Sequence, residues 1–334
     1  MLRFVLRRLA LLVPVLFGLS VLLFLWVRAL PGGPASALLG ERATPEAVAR
    51  INRLYGFDRP VLEQYATYIG RLLRGDFGVS VETNNPVLSE WFIRFPATIE
   101  LTIAALIFAV GVGIPLGYYA ARRSNRWPDN LVVIGSLVGI TIPVFFLAFL
   151  LKYFFAVQWA LFPSEGRQSS RILATHPTNF YVLDGLLTGE YDAAWDALIH
   201  LVLPGLALGT IPLAIVVRIT RAAVIEVQSD DYVRTAEAKG LTSAVVRRRH
   251  ILRNALLPVS TTIGLQTGLL LSGAILTETV FAFNGVGAFL FTAITTRDYP
   301  VLQGFILFIA LVFALVNLLV DLSYGIIDPR VRVQ

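Results

Sequence analysis

Six long apolar runs constrain the fold of this chain more than any other feature of its sequence. A bilayer core about 30 Å thick needs roughly 20 apolar residues of helix. Each run has 19 to 24 residues without Asp, Glu, Lys or Arg: Leu9–Val27, Leu101–Ala121, Leu131–Leu151, Ala197–Val217, Asn254–Thr277 and Tyr299–Val320. The runs therefore predict an all-α membrane protein with six transmembrane helices. An even number of spans places both termini on the same side.

The first run could also be the apolar part of a cleaved signal peptide. Arg7 and Arg8 precede it, and Ala35-Ser36-Ala37 resembles a cleavage site. The apolar region of a signal peptide usually has about 7–15 residues, which is shorter than this run. We therefore expect a retained transmembrane helix.

Basic residues in the connecting segments indicate the orientation. With a cytoplasmic N-terminus, the inside segments are 1–8, 122–130, 218–253 and 321–334. They carry 16 basic and 7 acidic residues, whereas the outside segments carry 12 basic and 15 acidic residues. Lys and Arg prefer the cytoplasmic side of a membrane, so both termini are predicted to be cytoplasmic. The formal net charge of +6 then reflects topology rather than nucleic-acid binding.

The composition excludes several kinds of catalytic and metal site. The chain has no cysteine, which excludes disulfides and thiolate chemistry. Its three histidines, His176, His200 and His250, are too far apart in sequence for a metal-ligand motif. No G-x-S-x-G or H-E-x-x-H motif is present. The sequence therefore predicts a chain that is not itself an enzyme and that holds no metal or cofactor.

Two outer segments are predicted to contain helices. In residues 31–95, Thr44-Pro45-Glu46 is a helix-start sequence, and Pro60 opens a second helix that Gly75 ends. In residues 163–196, aromatic and apolar residues near the end recur at helical spacing. These helices could rest on the membrane surface or form a docking rim for an extracellular partner, and the residues leave both readings open.

A polar segment separates the fourth and fifth apolar runs. Ser229-Asp230-Asp231 can cap a helix from about Tyr232 to Lys239, and Gly240 is a suitable left-handed terminator. A second, basic helix follows towards Pro258. The face of the first helix formed by Val233, Ala236 and Gly240 is small and weakly apolar, so it could fit a groove on a partner protein or be solvated.

This segment resembles the cytoplasmic EAA loop of binding-protein-dependent ABC importer permeases, most closely the dipeptide/oligopeptide/nickel group. The matching residues are Asp231-Tyr232-Val233-Arg234-Thr235-Ala236, Ala238-Lys239-Gly240-Leu241, Arg249-His250 and Leu252-Arg253-Asn254-Ala255-Leu256-Leu257-Pro258. Further matches are Leu30-Pro31-Gly32, Leu73-Arg74-Gly75-Asp76-Phe77-Gly78, Gly264-Leu265-Gln266, Glu278-Thr279-Val280-Phe281, Asp298-Tyr299-Pro300-Val301, Gln303-Gly304 and Asp328-Pro329-Arg330. The resemblance thus covers nearly the whole chain in order.

The chain departs from the family pattern at a few places. Gly33 stands where an acidic residue is frequent, and Glu237 stands at an often basic position. The 163–196 segment is longer than in compact members. These departures leave the substrate open, because the outer segments are where members differ.

The resemblance implies a type I ABC importer permease fold with three regions. Residues 1–95 would form the first transmembrane helix and an extracytoplasmic helical segment. Residues 96–325 would form the permease core, with a cytoplasmic coupling loop at 219–255, and residues 326–334 a cytoplasmic tail. The helix near 232–239 would be a coupling helix. Its expected contacts with an ATPase subunit are Tyr232, Thr235, Ala236, Lys239, Gly240 and Leu241.

The resemblance also implies partners in a bacterial inner membrane: a second homologous permease, two ATPase subunits and an extracytoplasmic substrate-binding protein. ATP and Mg²⁺ would be bound by the ATPases, because neither Lys152 nor Lys239 lies in a G-x-x-x-x-G-K-[ST] motif. Di- and oligopeptides are the expected cargo, with nickel chelates, glutathione-like peptides or sugars as alternatives.

The translocation pathway is the least constrained expectation, and Glu100, Gln266 and Glu278 are its candidates. The two glutamates lie at span edges, where anchoring at the interface is the alternative. A secondary transporter or channel is the alternative class. A secondary transporter would be expected to show an internal repeat and a mid-membrane ion site, and a membrane anchor or assembly factor would not need so long a polar loop. The sequence favours the importer permease over these other classes.

Overall fold

The fold is all-helical over the residues that the computed structural model describes, which are 2–29, 35–36, 39 and 43–327. Within these residues the β-type pairing is limited to a single antiparallel bridge between Val79 and Pro86. The predicted family positions 30–33 and 328–330 lie outside the described residues, as does most of the predicted tail.

The helices are numbered in chain order. On the N-terminal side they are α1 (Leu2–Arg28), α2 (Pro45–Tyr55), α3 (Val61–Leu72), α4 (Val87–Arg122), α5 (Trp127–Thr141), α6 (Val144–Leu151) and α7 (Tyr181–Leu187). They continue with α8 (Tyr191–Gln228), α9 (Asp231–Ala238), α10 (Ser243–Val245), α11 (Arg253–Gly273), α12 (Ile275–Val280), α13 (Val286–Thr295) and α14 (Tyr299–Ile327). Two π-helical segments, Lys152–Gln158 and Val246–Leu252, extend α6 and precede α11.

Four helices are long and apolar enough to cross a membrane in the described part of the chain. They comprise Leu6–Arg28, Val87–Arg122, Tyr191–Gln228 and Tyr299–Val320, and they contain the first, second, fourth and sixth predicted spans. The third predicted span is a bent pair, α5 and α6, with an angle of 99° between its halves. The break falls at Pro143, which has no N–H to continue the helical ladder.

The fifth predicted span corresponds to α11, which is not among the candidate spans found within the described residues. Its hydroxyl and amide side chains, including Gln266 and Thr267, lower its mean hydropathy. The helix ends at Gly273, and the short helix α12 follows after a break at Ala274. The described residues thus give four candidate spans, or five with the bent pair. The fifth predicted span, α11, remains a prediction.

The centre of the fold is the pair of long helices α4 and α8, which approach closely through glycines. A Cβ atom on Gly117 of α4 would lie 2.5 Å from the carbonyl oxygen of Val217. A Cβ atom on Gly209 of α8 would lie 2.7 Å from the carbonyl oxygen of Ala105. Gly113 and Gly205 occupy the equivalent positions one turn away. Small residues spaced four apart let membrane helices pack backbone to backbone, so α4 and α8 form a rigid central pair.

The two helices predicted to begin at Thr44-Pro45-Glu46 and at Pro60 are confirmed as α2 and α3. The Thr44 hydroxyl accepts a hydrogen bond from the Ala47 amide at 3.2 Å, which caps α2. After α3, Gly75 adopts a left-handed backbone with φ of +78°. The helix α3 packs against α1, where the hydroxyls of Tyr65 and Ser20 are 2.9 Å apart. The outer segment is therefore attached to the first span rather than separate from it.

Candidate functional site

The polar loop after α8 folds as a short helix, a glycine turn and a second helix, as the sequence predicts. Asp230 has an extended backbone before α9. At the other end the Lys239 amide bonds to the Thr235 carbonyl at 3.0 Å, and the Leu241 amide bonds to the Ala236 carbonyl at 3.3 Å. Gly240 has φ of +77°, which confirms its predicted left-handed conformation. The loop is thus a defined turn held by its own backbone.

The second half of the loop is wound differently from the expected regular helix. Thr242 has an extended backbone and precedes α10. The basic residues Arg247, Arg248 and Arg249 then lie in the π-helical segment Val246–Leu252. This segment runs directly into α11, so the loop is joined to a core helix without a flexible linker.

The apolar face of α9 packs against this chain rather than outward. Val233 and Ala236 are 2% and 5% exposed. They belong to a core cluster with Ala121 of α4, Val224 of α8 and Ile251 of the π-helical segment. The residues Val233 and Ala236, which the sequence analysis considered for a partner groove, therefore pack α9 against this chain.

The remaining predicted contact residues form the outward face of the loop. Tyr232 and Leu241 are each 42% exposed, and Thr235, Lys239 and Gly240 are also exposed. We call these five residues the outer loop face. Of the six predicted contacts, only Ala236 lies on the inner side, where it supports α9.

Two side-chain bonds hold the outer loop face against the chain. The Tyr232 hydroxyl accepts a hydrogen bond from the Asn254 amide nitrogen at 2.9 Å and donates to the His250 carbonyl at 3.4 Å. Partial burial raises the pKa of the Tyr232 hydroxyl above its ordinary value. These bonds tie the start of α9 to the start of α11.

A buried ion pair lies at the same end of the bundle. Arg221 of α8 binds Asp129 of α5 through two bonds of 2.5 and 2.7 Å. Asp129 is 1% exposed and also accepts the Asn125 amide at 2.9 Å. Sequence analysis missed this pair, because its partners are 92 residues apart and no motif links them.

The candidate pathway residue Glu100 forms a buried ion pair at the opposite end of α8. Its carboxylate accepts a bond from Arg167 at 2.7 Å and from the Val182 amide at 2.9 Å. The Arg167 guanidinium also lies 3.8 Å from the centre of the Tyr181 ring. The acid therefore ties α4 to the 163–196 segment instead of anchoring at an interface.

The candidate pathway residue Glu278 is fully buried. Its carboxylate accepts bonds from the Thr98 hydroxyl at 2.6 Å and the Ala288 amide at 2.9 Å. The Thr98 oxygen in turn accepts the Val286 amide at 3.0 Å. A Cβ atom on Gly285 would lie 2.5 Å from this carboxyl group. Glu278 thus joins α4, α12 and α13 within one packed network.

The third candidate, Gln266, is half-buried on α11. Glu100 lies on α4, and Glu278 accepts a hydrogen bond from Thr98 of α4. Gln266 lies about three helical turns before Glu278 along α11 and α12. No group of three or more His, Asp or Glu side chains suited to a metal occurs in the described residues.

Comparison with protein-family models assigns this chain to a family. A family model described as the binding-protein-dependent transport system inner membrane component matches residues 113–333. A second model, for the N-terminal part of such a membrane component, matches residues 1–102. The chain therefore belongs to the family of binding-protein-dependent transport system inner membrane components, and it is a multi-pass protein of the bacterial inner membrane.

Similar proteins are found over the full length of the chain. The dipeptide transport system permease protein DppB of Alkalihalophilus pseudofirmus is 46% identical over 99% of this chain and 100% of its own. The protein of the same name in Escherichia coli K12 is 45% identical over 99% of both chains. The glutathione transport system permease protein GsiC of Escherichia coli O1:K1 is 39% identical over 99% of both chains. These matches confirm the resemblance to the dipeptide/oligopeptide group of permeases.

Proposed function

We propose that this chain is the permease subunit of an ATP-driven importer of di- and oligopeptides. The full-length similarity to two dipeptide permeases carries the cargo assignment, because it includes the outer segments in which cargo specificity is expected to differ. Short peptides resembling glutathione are the second candidate, supported by the similarity to a glutathione permease.

In this proposal the chain forms half of the pathway and pairs with a homologous permease. A binding protein delivers substrate outside, and two ATPases bind ATP and Mg²⁺ inside. Both termini face the cytoplasm, and α11 is the fifth of six spans. The regions are 1–95, the core 96–325 and the tail 326–334. The two family models, which meet between residues 102 and 113, support a boundary near this point.

The outer loop face is the proposed contact with one ATPase. Its five residues are exposed, and α9 is fastened to α4 and α8 through Val233 and Ala236. A push on α9 would therefore reach the two central helices directly. Binding of a ligand or nucleotide shifts the equilibrium between two conformations of a transporter only through its different affinities for those conformations.

The pathway itself is proposed to lie against the second permease. Gln266 on α11 is the candidate lining residue. Glu100 and Glu278 are assigned to positioning, since both are buried within this chain.

The proposal is tested by uptake and by co-purification. The chain is expressed with its genomic neighbours in a host without dipeptide permeases, and uptake of a radiolabelled dipeptide is measured. We expect uptake only when the chain and an ATPase subunit are both present. A tagged chain should co-purify with a second permease and ATPases in mild detergent. Uptake that persists without the chain would contradict the assignment.

A further inference from the structure

The segment before α4 and the first span enclose a basic cavity. Its volume is about 400 Å³, within the range of sites that hold a small organic molecule. The walls come from the end of α1, the end of α2, α3, the 76–79 segment and the start of α14. Arginines dominate its charged lining, which comprises Arg28, Arg53, Arg59, Arg71 and Asp76.

One of these arginines is already paired. Arg71 binds Asp76 through bonds of 2.7 and 3.3 Å, and this contact holds the pKa of Asp76 below its usual range. The other three leave the cavity with an excess positive charge. Within the described part of the chain, neither Arg53 nor Arg59 has an acidic partner within 4.0 Å, and both are exposed.

Arg28 is held in place by neighbours rather than by an acid. Its Nε donates to the Gln64 side-chain oxygen at 2.8 Å, and one Nη donates to the Phe24 carbonyl at 3.1 Å. The Gln64 amide nitrogen donates to the carbonyls of Phe57 and Arg59. Gln64 therefore fixes both Arg28 and the turn that carries Arg59, as a preformed anion site requires.

The cavity lies at the end of the first apolar span, where lipid headgroups are expected. Arg28 ends the first apolar span, and Trp26 and Tyr299, with ring centres 6.0 Å apart, stand beside it. Trp and Tyr are enriched where a bilayer meets water. On the same helix Leu22 and Leu25 are 61% and 51% exposed, as expected for a surface that contacts acyl chains.

We infer that this cavity binds the phosphodiester headgroup of an anionic phospholipid. Three unneutralised guanidinium groups suit a phosphate, and the adjacent exposed leucines suit the acyl chains. The assignment of the cavity to the outer leaflet rests on the proposed topology. Its depth at the headgroups is inferred from the position at which the apolar span of α1 ends. An acidic surface of a partner protein could also bind these arginines. Such a partner would not account for the exposed leucines, which suit acyl chains.

The test uses the full chain with the subunits that co-purify. Native mass spectrometry measures the Kd of dioctanoyl phosphatidylglycerol, with dioctanoyl phosphatidylcholine as the zwitterionic probe. We expect tighter binding of phosphatidylglycerol, and about 30-fold weaker binding in the double variant Arg53→Gln/Arg59→Gln, from the usual contribution of basic groups at anionic surfaces. Arg53→Lys/Arg59→Lys should retain most of the binding.

The matched control is Arg50→Gln/Arg74→Gln, which removes two exposed arginines from the same segment but outside the cavity. It should leave the Kd unchanged. Equal loss in both double variants, or no loss in either, would overturn the site. Equal displacement of the lipid by millimolar inorganic phosphate alone would assign the cavity to a soluble anion. Because lipid binding is measured without uptake, its failure would leave the peptide-importer proposal standing.

If the cavity instead receives the binding protein, Arg53→Gln/Arg59→Gln would weaken that protein's binding while the Kd for phosphatidylglycerol stayed unchanged. This outcome would overturn the lipid assignment.

Discussion

At the scale of single residues, the left-handed backbone of Gly240 favours glycine, whereas the space around it in this chain would admit a side chain. Its φ is +77°, and among the described residues no atom other than those of Gly240 and its two chain neighbours lies within 4 Å of the position that a Cβ would occupy. A β-branched side chain in this conformation costs about 1–2 kcal/mol. The strain falls on the turn that joins the outer loop face to α11.

We expect Gly240→Val to leave the chain in the membrane and to reduce dipeptide uptake more than tenfold. Gly189→Val is the matched control, because Gly189 also has positive φ and open space but lies in the outer segment. Membrane levels by immunoblotting and uptake of labelled dipeptide are compared. Normal uptake in Gly240→Val would remove this turn from coupling.

Two substitutions of Glu278 distinguish a role in positioning the helices from a role in the translocation pathway. Glu278→Ala leaves two buried donors without an acceptor, at about 1–3 kcal/mol for each such group. Glu278→Gln keeps the shape, and its new N–H can donate to the Thr98 oxygen, which has a second lone pair. We expect a clear loss of thermal stability for Glu278→Ala and a small one for Glu278→Gln, measured by scanning fluorimetry.

The uptake data for these two variants complete the comparison. A positioning carboxylate predicts that Glu278→Gln transports at a rate within a few-fold of the unmodified chain. Wild-type stability together with abolished uptake in Glu278→Gln would restore Glu278 to the pathway.

At the scale of elements, α9 has two faces with different tasks. The inner face packs on α4 and α8 through Val233 and Ala236, and the outer loop face is exposed. The sequence identified the helix, its glycine and its outward residues. It did not reveal the direction of the apolar face, because a weakly apolar face is equally suited to a partner and to the chain's own core.

The same substitution on each face should therefore act differently. Val233→Glu buries a charge among apolar neighbours, so we expect lower stability and a lower membrane level. Thr235→Glu places the charge in solvent, so stability should be unchanged while co-purification of the ATPase falls several-fold. The two are measured by fluorimetry and by quantitative pull-down. Equal co-purification by Thr235→Glu and the unmodified chain would exclude Thr235 from the interface.

At the scale of the whole molecule, the natural absence of cysteine makes the topology directly testable. Leu173 in the 163–196 segment is 97% exposed, and Glu237 on α9 is also exposed. We expect a membrane-impermeant maleimide to label Leu173→Cys in intact cells and Glu237→Cys only after permeabilisation. The unmodified chain provides a background without thiols. Labelling of both positions in intact cells would contradict the proposed sidedness.

The sequence by itself determined the helical class, most of the spans, the outer helices and the position of the loop. These depend on local properties: apolar length, caps, and glycine at a left-handed turn. The third span was predicted as the apolar run Leu131–Leu151, which contains Pro143, and its two halves meet there at an angle of 99°. The length of an apolar run does not show how far a proline within it bends the helix.

Only the tertiary structure decided what the buried charges do. Glu100 meets Arg167, Asp129 meets Arg221, and Glu278 meets Thr98, at separations of 67, 92 and 180 residues. A span-edge acid has the same local pattern whether it anchors in headgroups, lines a pathway or joins two helices. Its role depends on which donor the fold brings to it, and that is set by packing between distant segments rather than by neighbours in the chain.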